Sequence, residues 1–473
     1  EEKVYFGSDD GQAYCLQAKD GALVWSVRPG PKDDRILGRQ QMVSRWPVRT
    51  SILIHPDKEH GAVAYFGAGI FPHENVFLVA VRASDGRPVW KLDNLSQANA
   101  ARNDLSPQGY FLANDDLLVV PSGRSLPAVF DRLTGEFLHK DKHAWRSTAG
   151  GVVGGTQALL ADGQIYSWGA HHILAMDQKT GDVGYGWFAG HQLAIAGDAA
   201  YAANGTGIAR LDRLTYAENS RVRHAQETRL AELSTKLKGA KEPDAAAIKT
   251  QMREIQAEYD SLAEVGYVWK TPSTHESQLI VAGDQLISGG QNEVAIYDMK
   301  SGRPLWKAAV DGEARGLAVA DGHLIVSTTK GDIVCFATGK PGPGKTINLS
   351  AREGVDPFPV DELTARYAEA AQAILDTTGI KEGFCLVLGN EDGRLAWELA
   401  RRSKLEIHAV ESDLARVARS RERLAKTGWY GNRISIHAGN PNALPFPNYF
   451  ANLVVSDTLV RTGSLPPGLD PKS

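Results

Sequence analysis

A phosphate-binding loop is the first chemistry that the spacing of residues suggests. Residues Gly339 to Thr346, GKPGPGKT, satisfy the pattern G-x-x-x-x-G-K-[ST], in which consecutive backbone N–H groups cradle phosphate where a helix begins. Pro341 and Pro343 remove two of these donors, and the following TINLSAREG has no helical period. We therefore interpret 341–356 as a Pro/Gly linker and reject an NTPase.

Titratable side chains elsewhere suggest little acid–base or metal chemistry. Glu391 and Asp392 are neighbours on one turn, where adjacent side chains point in different directions, so we do not assign a general acid/base pair. His408 and His437 fall within alternating strands, where a packed histidine is commoner than a metal ligand. The three cysteines are far apart, with no CxxC motif and no adjacent pair: Cys15, Cys335 and Cys385. We predict no metal site.

The periodicity of residues 357–473 predicts alternating helices and strands. Helices are expected in ELTARYAEAAQAILDTTG, RLAWELARRS and LARVARSRERLAKTG, and strands in FCLVLG, EIHAVESD, RISIHAG and ANLVVSD. This order predicts the first half of a doubly wound α/β sheet of the Rossmann type.

The turn GNEDGRLA and the acid of AVESD resemble class I S-adenosylmethionine-dependent methyltransferases over about 357–473. In that family a glycine-rich turn after the first strand approaches the methionine part of the cofactor, and an acid ending the second strand binds the ribose hydroxyls. Gly389 and Gly393 match the outer glycines of the turn, and Glu411 matches the ribose acid. The resemblance implies S-adenosylmethionine as the cofactor.

Several positions depart from that family's pattern. Glu391 replaces the middle glycine, Val387 replaces an acid at the end of the first strand, and Asn440 replaces the acid that contacts adenine. After the fourth strand, VVSDTL offers only Asp457, which we interpret as a turn residue. These departures predict a degenerate methyltransferase-like domain with no assignable catalytic residue. The candidate cofactor-binding residues are Gly389, Glu391, Gly393, Glu411 and Asn440.

An internal repeat covers the first 340 residues. YCLQAKDGALVW, FLVAVRASDGRPVW and VAIYDMKSGRPLW share an alternating strand, a turn glycine and a short strand ending in tryptophan. A second hairpin precedes each copy, and four strands per unit predict an all-β propeller with about seven visible blades, or eight in all. The units are near 1–27, 60–92, 109–140, 157–188, 192–216 with 266–271, 278–310 and 316–338.

These repeats resemble the PQQ-type repeats of quinoprotein dehydrogenases and of outer-membrane assembly lipoproteins. QMVSRWPVRTSILI, AVAYFGAGIF and PHENVF resemble, more closely, the PQQ-like repeat proteins of planctomycete-type bacteria. In quinoproteins the cofactor is held by a stacking tryptophan, an adjacent-cysteine disulfide and a calcium cluster. The lack of adjacent cysteines argues against bound PQQ. We interpret the blade-end tryptophans as packing between blades: Trp25, Trp90, Trp187, Trp269 and Trp306.

Residues 217–264 interrupt the propeller, whose two parts are 1–216 and 265–340, with an Ala/Glu/Lys/Arg-rich segment. Two apolar stripes separated by GAKEPD predict an antiparallel helical hairpin. The second stripe is Ile248, Met252, Ile255, Tyr259 and Leu262, and the first is Val222, Ala225, Leu230, Leu233 and Leu237. The hairpin either docks a partner or only decorates the propeller.

Charge and composition narrow the function classes. The chain has 52 Lys+Arg and 56 Asp+Glu residues, a net charge of −4, so no basic field for nucleic acid is present. No run of apolar residues is long enough for a membrane span. The first unit begins at its second strand, and the last sheet has four strands where the resembled family has seven. We therefore expect further strands outside this sequence.

Three functions remain open from the sequence. The first is an interaction scaffold with a protein partner on the propeller face or the helical hairpin. The second is an active methyltransferase whose propeller recruits the substrate, and the third is a PQQ-dependent oxidoreductase. Propellers of the resembled families are extracytoplasmic, whereas S-adenosylmethionine is kept in the cytoplasm. We therefore expect an extracytoplasmic location, or a cytoplasmic one if the methyltransferase is active.

Overall fold

The computed structural model describes residues 2–38, 41–70, 75–93, 95, 105–123, 125–140, 153–169, 172–337, 339, 346–347 and 355–467. The chain divides into two compact units. The first contains Glu1–Lys32 and Trp46–Lys340, and the second contains Asp33–Arg45 and Pro341–Ser473. Most of the expected linker 341–356 lies outside the described residues, as do residues 340–345 of the GKPGPGKT pattern.

The described strands of the first unit form six antiparallel sheets, each a meander of consecutive strands. The first sheet has three strands, β1 (Lys3–Gly7), β2 (Ala13–Gln17) and β3 (Leu23–Val27). The next ladder, β4 (Arg35–Gly38) and β5 (Gln41–Ser44), belongs to the second unit. Four sheets of four strands follow: β6 (Leu53–Asp57), β7 (Gly61–Ala68), β8 (Phe77–Arg82), β9 (Pro88–Leu92); β10 (Leu112–Ala113), β11 (Leu117–Ser122), β12 (Ser125–Asp131), β13 (Phe137–Lys140); β14 (Val153–Ala161), β15 (Gln164–Gly169), β16 (His172–Asp177), β17 (Val183–Ala189); and β18 (Gln192–Ala196), β19 (Ala199–Ala203), β20 (Gly207–Asp212), β21 (Tyr267–Pro272). Successive four-stranded meanders are the blades of a β-propeller.

The last sheet differs from the two separate blades expected at 278–310 and 316–338. Five strands pair in one order, β22 (Gln278–Ala282), β23 (Gln285–Asp298), β24 (Pro304–Ala320), β25 (His323–Thr328) and β26 (Ile333–Ala337). β23 continues through Asn292 at φ 61° and β24 through Gly312 at φ 87°. Each long strand changes partner at an irregularity in its register instead of ending in a loop. The described sheets are therefore not seven four-stranded blades.

A tryptophan of one blade contacts the turn glycine of the next. The indole N–H groups of Trp25, Trp90 and Trp269 donate to the carbonyl oxygens of Ala83, Arg132 and Met299, each over 3.1 Å. Each acceptor lies three residues before a glycine, Gly86, Gly135 or Gly302, whose φ is positive. A Cβ there would lie within 3.0 Å of the indole. The turn glycine thus permits both the backbone conformation and the contact with the ring.

The prediction of packing between blades is confirmed for Trp25, Trp90 and Trp269. The prediction is wrong for Trp306, which is 38% exposed and packs edge-to-face on Phe336 of its own sheet. The side chain of Trp187 lies outside the described residues. In one further contact of this kind a histidine takes the place of the tryptophan. His139 Nε2 lies 2.8 Å from the carbonyl oxygen of Gln178, three residues before Gly181.

Replacing Trp90 by phenylalanine should lower the free energy of unfolding of the first unit by about 1 kcal/mol, because one hydrogen bond between blades is lost. The urea midpoint measures this change. Trp306→Phe is the control, since its ring is exposed and we expect its midpoint to stay near that of the wild type. Equal midpoints for both variants would show that the indole hydrogen bond does not stabilise the blades.

Two arginines in identical D-R-L-T sequences are buried between blades. Arg132 is 5% exposed and donates to Tyr65 Oη (3.0 Å) and to the carbonyl oxygen of Asp115 (3.0 Å). Arg213 is 2% exposed and donates to Tyr166 Oη (3.1 Å). In both cases the tyrosine lies on the second strand of the preceding four-stranded blade. The two arginines therefore fill equivalent sites, which the sequence analysis did not identify.

The helical hairpin replaces the turn between the third and fourth strands of one blade. It contains α1 (Arg213–Leu237) and α2 (Asp244–Ser261), between β20 and β21. Asp212 caps α1 by accepting from the N–H of Thr215, and Asp131 accepts from the N–H of Thr134 in the ordinary glycine turn. The same D-x-x-T sequence therefore either reverses the chain or starts a helix. The helix begins four residues before the predicted position 217.

The predicted inner stripe of α1 is confirmed in its second half only. Leu233 is buried and Leu230 and Leu237 are half-buried, whereas Val222 is 40% exposed and Ala225 is exposed. The buried residues of the stripe are Tyr216, Asn219, Gln226 and Leu233. Asn219 donates to the carbonyl oxygen of Leu262 (2.9 Å), and Arg223 lies over the ring of Tyr259 at 4.2 Å. The predicted α2 stripe is confirmed as half-buried: Ile248, Met252, Ile255, Tyr259 and Leu262.

The second unit contains the parallel α/β sheet that the sequence predicts. Its four strands pair in the order β29 (Ile434–Ala438), β28 (Lys404–Glu411), β27 (Glu382–Leu388) and β30 (Leu453–Ser456), all parallel. The helices are α3 (Glu362–Thr378), α4 (Arg394–Arg402), α5 (Leu414–Ala425) and α6 (Asp457–Thr462). Helices α3, α4 and α5 pack with the sheet in one apolar cluster around Trp397. None of the described helices in the chain is both long and apolar enough to cross a membrane.

The opposite sheet face is covered by segments that the sequence analysis did not assign to it. Leu386, Val410 and Phe450 form its centre, and Met42 of the β4–β5 hairpin packs against them. The N–H of Arg35 in β4 donates to the carbonyl oxygen of Pro445 (2.8 Å). Residues 33–45, expected in the propeller, therefore belong to the α/β unit.

The two strand histidines are packed on this covered face. His408 and His437 stack with their ring centroids 5.3 Å apart, and Phe446 contacts both. Burial, followed by the charge of Arg35, lowers the pKa of His437 well below its usual value. Both rings are therefore part of the core.

Candidate functional site

The turn between β27 and α4 depends on two glycines with positive φ. Gly389 has φ 69° and Gly393 has φ 92°. A Cβ on Gly389 would lie 2.1 Å from Thr458 Oγ1, and one on Gly393 would lie 3.0 Å from Leu424 Cδ1. Both positions therefore require glycine for conformation and for space.

The first three N–H groups of the turn donate to acceptors of the protein itself. Gly389 N donates to the carbonyl oxygen of Val410 (3.0 Å), Asn390 N to Glu411 Oε2 (2.9 Å) and Glu391 N to Asp457 Oδ2 (2.9 Å). These bonds fix the turn to the ends of the two strands beside β27. They also use the donors with which such a turn would bind an anion.

Glu411 lies beside this turn, as predicted, at the end of β28. Its carboxylate is buried, and Oε1 accepts from the N–H of Asp413 (2.8 Å) while Oε2 accepts from Asn390. The Asn390 side chain donates onward to Ser420 Oγ (2.8 Å). The acid therefore joins the turn to the start of α5.

Glu391 occupies the middle of the turn and points at arginines. Its side chain is 13% exposed, with Oε1 2.8 Å from Arg416 Nη1 and Oε2 3.7 Å from Arg461 Nε. An ion pair of this kind holds the carboxylate in place beside the turn.

Asn440, the last of the predicted cofactor-binding residues, accepts a hydrogen bond from its own loop. It is exposed, and its Oδ1 accepts from the N–H of Asn442 (2.9 Å). The structure thus brings together Gly389, Glu391, Gly393 and Glu411, and places Asn440 after Gly439, whose N–H donates to the Glu411 carbonyl oxygen (3.0 Å).

Asp457, interpreted from the sequence as a turn residue, belongs to the candidate site. It is fully buried at the start of α6 and accepts from the N–H of Glu391. Burial raises the pKa of Asp457 to about 7, although hydrogen bonds from Tyr367 and Glu391 oppose the rise. The available signal was its place at the carboxyl end of the strand next to the turn, where ligands of such sheets bind.

Stability of the second unit should depend on the protonation of Asp457. The pKa is raised in the folded state, so the stabilisation is fully present below the unfolded value of 3.8 and is lost as pH rises through about 7. We expect the loss to be on the order of 4 kcal/mol. Hydrogen exchange of β27 and α4 amides at pH 5 and pH 8 measures the part of this loss above pH 5, about 3 kcal/mol.

Asp457→Asn is the control for this pH dependence, because an amide of the same shape does not titrate. We expect amide protection in the variant to change less between the two pH values than in the wild type. The same pH dependence in both proteins would assign the effect to another group.

The residues present do not fit S-adenosylmethionine as the turn is folded. The N–H groups of Gly389, Asn390 and Glu391 are engaged, so the carboxylate of the methionine part would gain none of them. It would also approach the carboxylates of Glu391 and Asp457, and like charges repel. Glu411, the residue expected for the ribose, already accepts two backbone N–H groups.

The donor set for PQQ is likewise incomplete in the described residues. Cys15 and Cys385 are buried, Cys335 is exposed and none of them is paired. No group of three His, Cys, Asp or Glu side chains converges as a metal site in the described part of the chain. The adjacent-cysteine disulfide of the quinoproteins therefore has no counterpart.

A family comparison matches part of the chain. Residues 263–342 and 290–440 match the model of a family described as outer membrane protein assembly factor BamB. The match covers less than half of the chain and shows similarity to that family over these residues. This agrees with the PQQ-type repeat expected from the sequence. No curated protein matches the chain.

Among solved structures, BamB from Moraxella catarrhalis is 12% identical, covers 71% of this chain and 81% of its own, and has a TM-score of 0.44. A europium-containing methanol dehydrogenase is 11% identical over 69% of this chain and 72% of its own, with a TM-score of 0.41. A putative S-adenosyl-L-methionine-dependent methyltransferase from Methanococcus maripaludis is 24% identical over 25% of this chain, with a TM-score of 0.20. The chain spans 53% of that methyltransferase.

Proposed function

We propose that this chain is a β-propeller interaction protein whose α/β unit does not transfer methyl groups. The BamB-like repeats support a role in protein interaction. The closed turn supports the proposal that the α/β unit does not transfer methyl groups. Three of its N–H donors and the Glu391 carboxylate are engaged within the protein.

The helical hairpin is the surface that we propose for a protein partner. The inner residues of the two helices are buried or half-buried, so the exposed outer residues are not needed for this packing. Those outer residues include the ion pairs Glu218–Arg221 and Arg229–Glu232, both largely exposed. A partner would therefore meet a polar surface with both signs of charge. We propose an extracytoplasmic location on the grounds of the repeat type alone.

Titration of S-adenosylmethionine into the full chain tests the proposal. We expect no heat at millimolar ligand, whereas affinity tighter than about 100 µM, roughly −5.5 kcal/mol, would overturn it. Glu391→Gly, which restores the middle glycine, is the comparison variant. If only this variant binds, the side chain of Glu391 is what excludes the ligand.

A second candidate, an active S-adenosylmethionine-dependent methyltransferase with a cytoplasmic location, is favoured by the placement of Gly389, Gly393 and Glu411 at one strand edge. Binding by the unmodified chain, lost in Glu411→Ala, would support it. The quinoprotein candidate is tested by the absorbance spectrum, because bound PQQ absorbs at longer wavelengths than the tryptophan and tyrosine side chains of an apo protein.

A further inference from the structure

An arginine-rich pocket lies beside the closed turn in the α/β unit. Its volume is about 490 Å³, and the start of α3, the turn, α5 and α6 line it. The charged residues of its lining are five arginines and three carboxylates: Arg394, Arg416, Arg419, Arg423, Arg461, Asp361, Glu391 and Asp392. Positive charges therefore exceed negative ones by two.

Two of the arginines are held by fixed carboxylates. Arg394 Nη1 lies 2.9 Å from Asp361 Oδ1, and its Nε lies 3.2 Å from Asp392 Oδ2. Arg423 Nη1 lies 3.2 Å from the same Asp392 oxygen. Arg394 is buried, so this group of four charges forms the rigid side of the pocket.

The other three arginines differ in their carboxylate partners. Arg416 lies 2.8 Å from Glu391, 3.7 Å from Asp413 and 3.9 Å from Glu411. Arg461 lies 3.7 Å from Glu391, and Arg419 is exposed one turn along α5, where its charge acts on Asp413. Glu391 is therefore the lining carboxylate that Arg416 and Arg461 share.

We propose that Arg416, Arg419 and Arg461 bind a phosphate-bearing small molecule, and that Glu391 occupies the phosphate position in its absence. The planar fork of N–H donors on each guanidinium matches phosphate oxygens, and two or three such groups suit a doubly charged anion better than a single carboxylate. The volume fits a ligand the size of a nucleotide. This inference is independent of the interaction role of the propeller.

Competition between Glu391 and the ligand follows from this arrangement. Binding of phosphate requires the carboxylate to leave Arg416 and Arg461, since both anions would use the same donors. Removing the charge of Glu391 should therefore strengthen anion binding, whereas removing the arginines should weaken it. The closed turn need not open, because its N–H bonds to Val410, Glu411 and Asp457 do not involve the Glu391 side chain.

Calorimetric titration of pyrophosphate into the full chain tests the site. We expect saturable binding by the wild type, about 10-fold tighter binding by Glu391→Gln and about 10-fold weaker binding by Arg461→Gln combined with Arg419→Gln. The matched control is Arg401→Gln, an exposed arginine of the same unit that pairs with Asp356 outside the pocket. Its affinity should equal that of the wild type.

The outcomes separate a site from general charge attraction. No heat from the wild type or Glu391→Gln at about 10 mM pyrophosphate would overturn the proposal. Equal weakening by Arg401→Gln would also overturn it. Circular dichroism of each variant excludes unfolding as the cause of a loss. Adenosine monophosphate binding tighter than pyrophosphate would assign a nucleotide, and the reverse an inorganic anion.

Discussion

Gly109→Ala is expected to destabilise the propeller unit by at least about 3 kcal/mol, since an overlap with backbone adds to conformational strain. Gly109 has φ 82°, and a Cβ there would lie 1.9 Å from the carbonyl oxygen of Thr156. That oxygen accepts from the N–H of Tyr110 (3.0 Å), and the Gly109 carbonyl oxygen accepts from Ser51 (2.7 Å). Three blades meet at this glycine, so the backbone has no direction in which to yield.

Gly21→Ala is the matched control for this prediction. Gly21 has φ 73°, and nothing lies within 4 Å of a Cβ placed on it. Only the left-handed conformation should then cost free energy, about 1 kcal/mol. Urea unfolding of the two variants measures both changes. If Gly109→Ala lost no more stability than Gly21→Ala, the close approach to Thr156 would be wrong.

Arg132→Met should lower the free energy of unfolding by about 3–5 kcal/mol, because it leaves a buried carboxylate without its partner. Arg132 Nη1 lies 3.3 Å from Asp57 Oδ2, with side-chain exposures of 6% and 7%. Burial alone would raise the pKa of Asp57. The N–H groups of His60 and Glu59, together with Arg132, outweigh this effect and lower it.

Arg49→Met is the control for the buried pair. Arg49 binds Asp9 through two hydrogen bonds, 2.7 Å and 3.1 Å, but both side chains are more than a third exposed. We expect a loss below about 1 kcal/mol, which urea unfolding of both variants will compare. Similar losses would show that burial of the Arg132 pair adds nothing. The pair should also weaken in acid, because a lowered pKa stabilises only above the unfolded value of 3.8.

Local sequence patterns predicted the strands and turns better than the contacts that these elements make with other parts of the chain. Glycine turns and alternating strands identify the blades, because they depend on backbone conformation and on one neighbouring sheet. The repeated D-R-L-T was visible in the sequence, but only the structure shows that Arg132 and Arg213 cross to the preceding blade. The α1 stripe was predicted correctly around Leu233 and wrongly in its first half, because Asn219 and Gln226 are polar and still buried.

The sequence predicted where the candidate site lies, but not that the N–H groups of its turn are bonded within the protein. The order of strands placed Gly389, Gly393 and Glu411 together, as observed. The acceptors that use the turn's N–H groups could not be foreseen, because Asp457 lies 66 residues away from Glu391 in the chain. Such pairing depends on tertiary approach, for which local patterns carry no signal.

The β4–β5 hairpin has a consequence for the order in which the protein is made. Residues 33–45 leave the ribosome at least 337 residues (382 − 45) before the strands that they cover, and closing so long a loop slows folding more than it lowers stability. Until the hairpin returns, the face around Leu386 and Phe450 stays exposed and prone to aggregation. The α/β unit thus completes its core with a segment that is translated long before the strands of its own sheet.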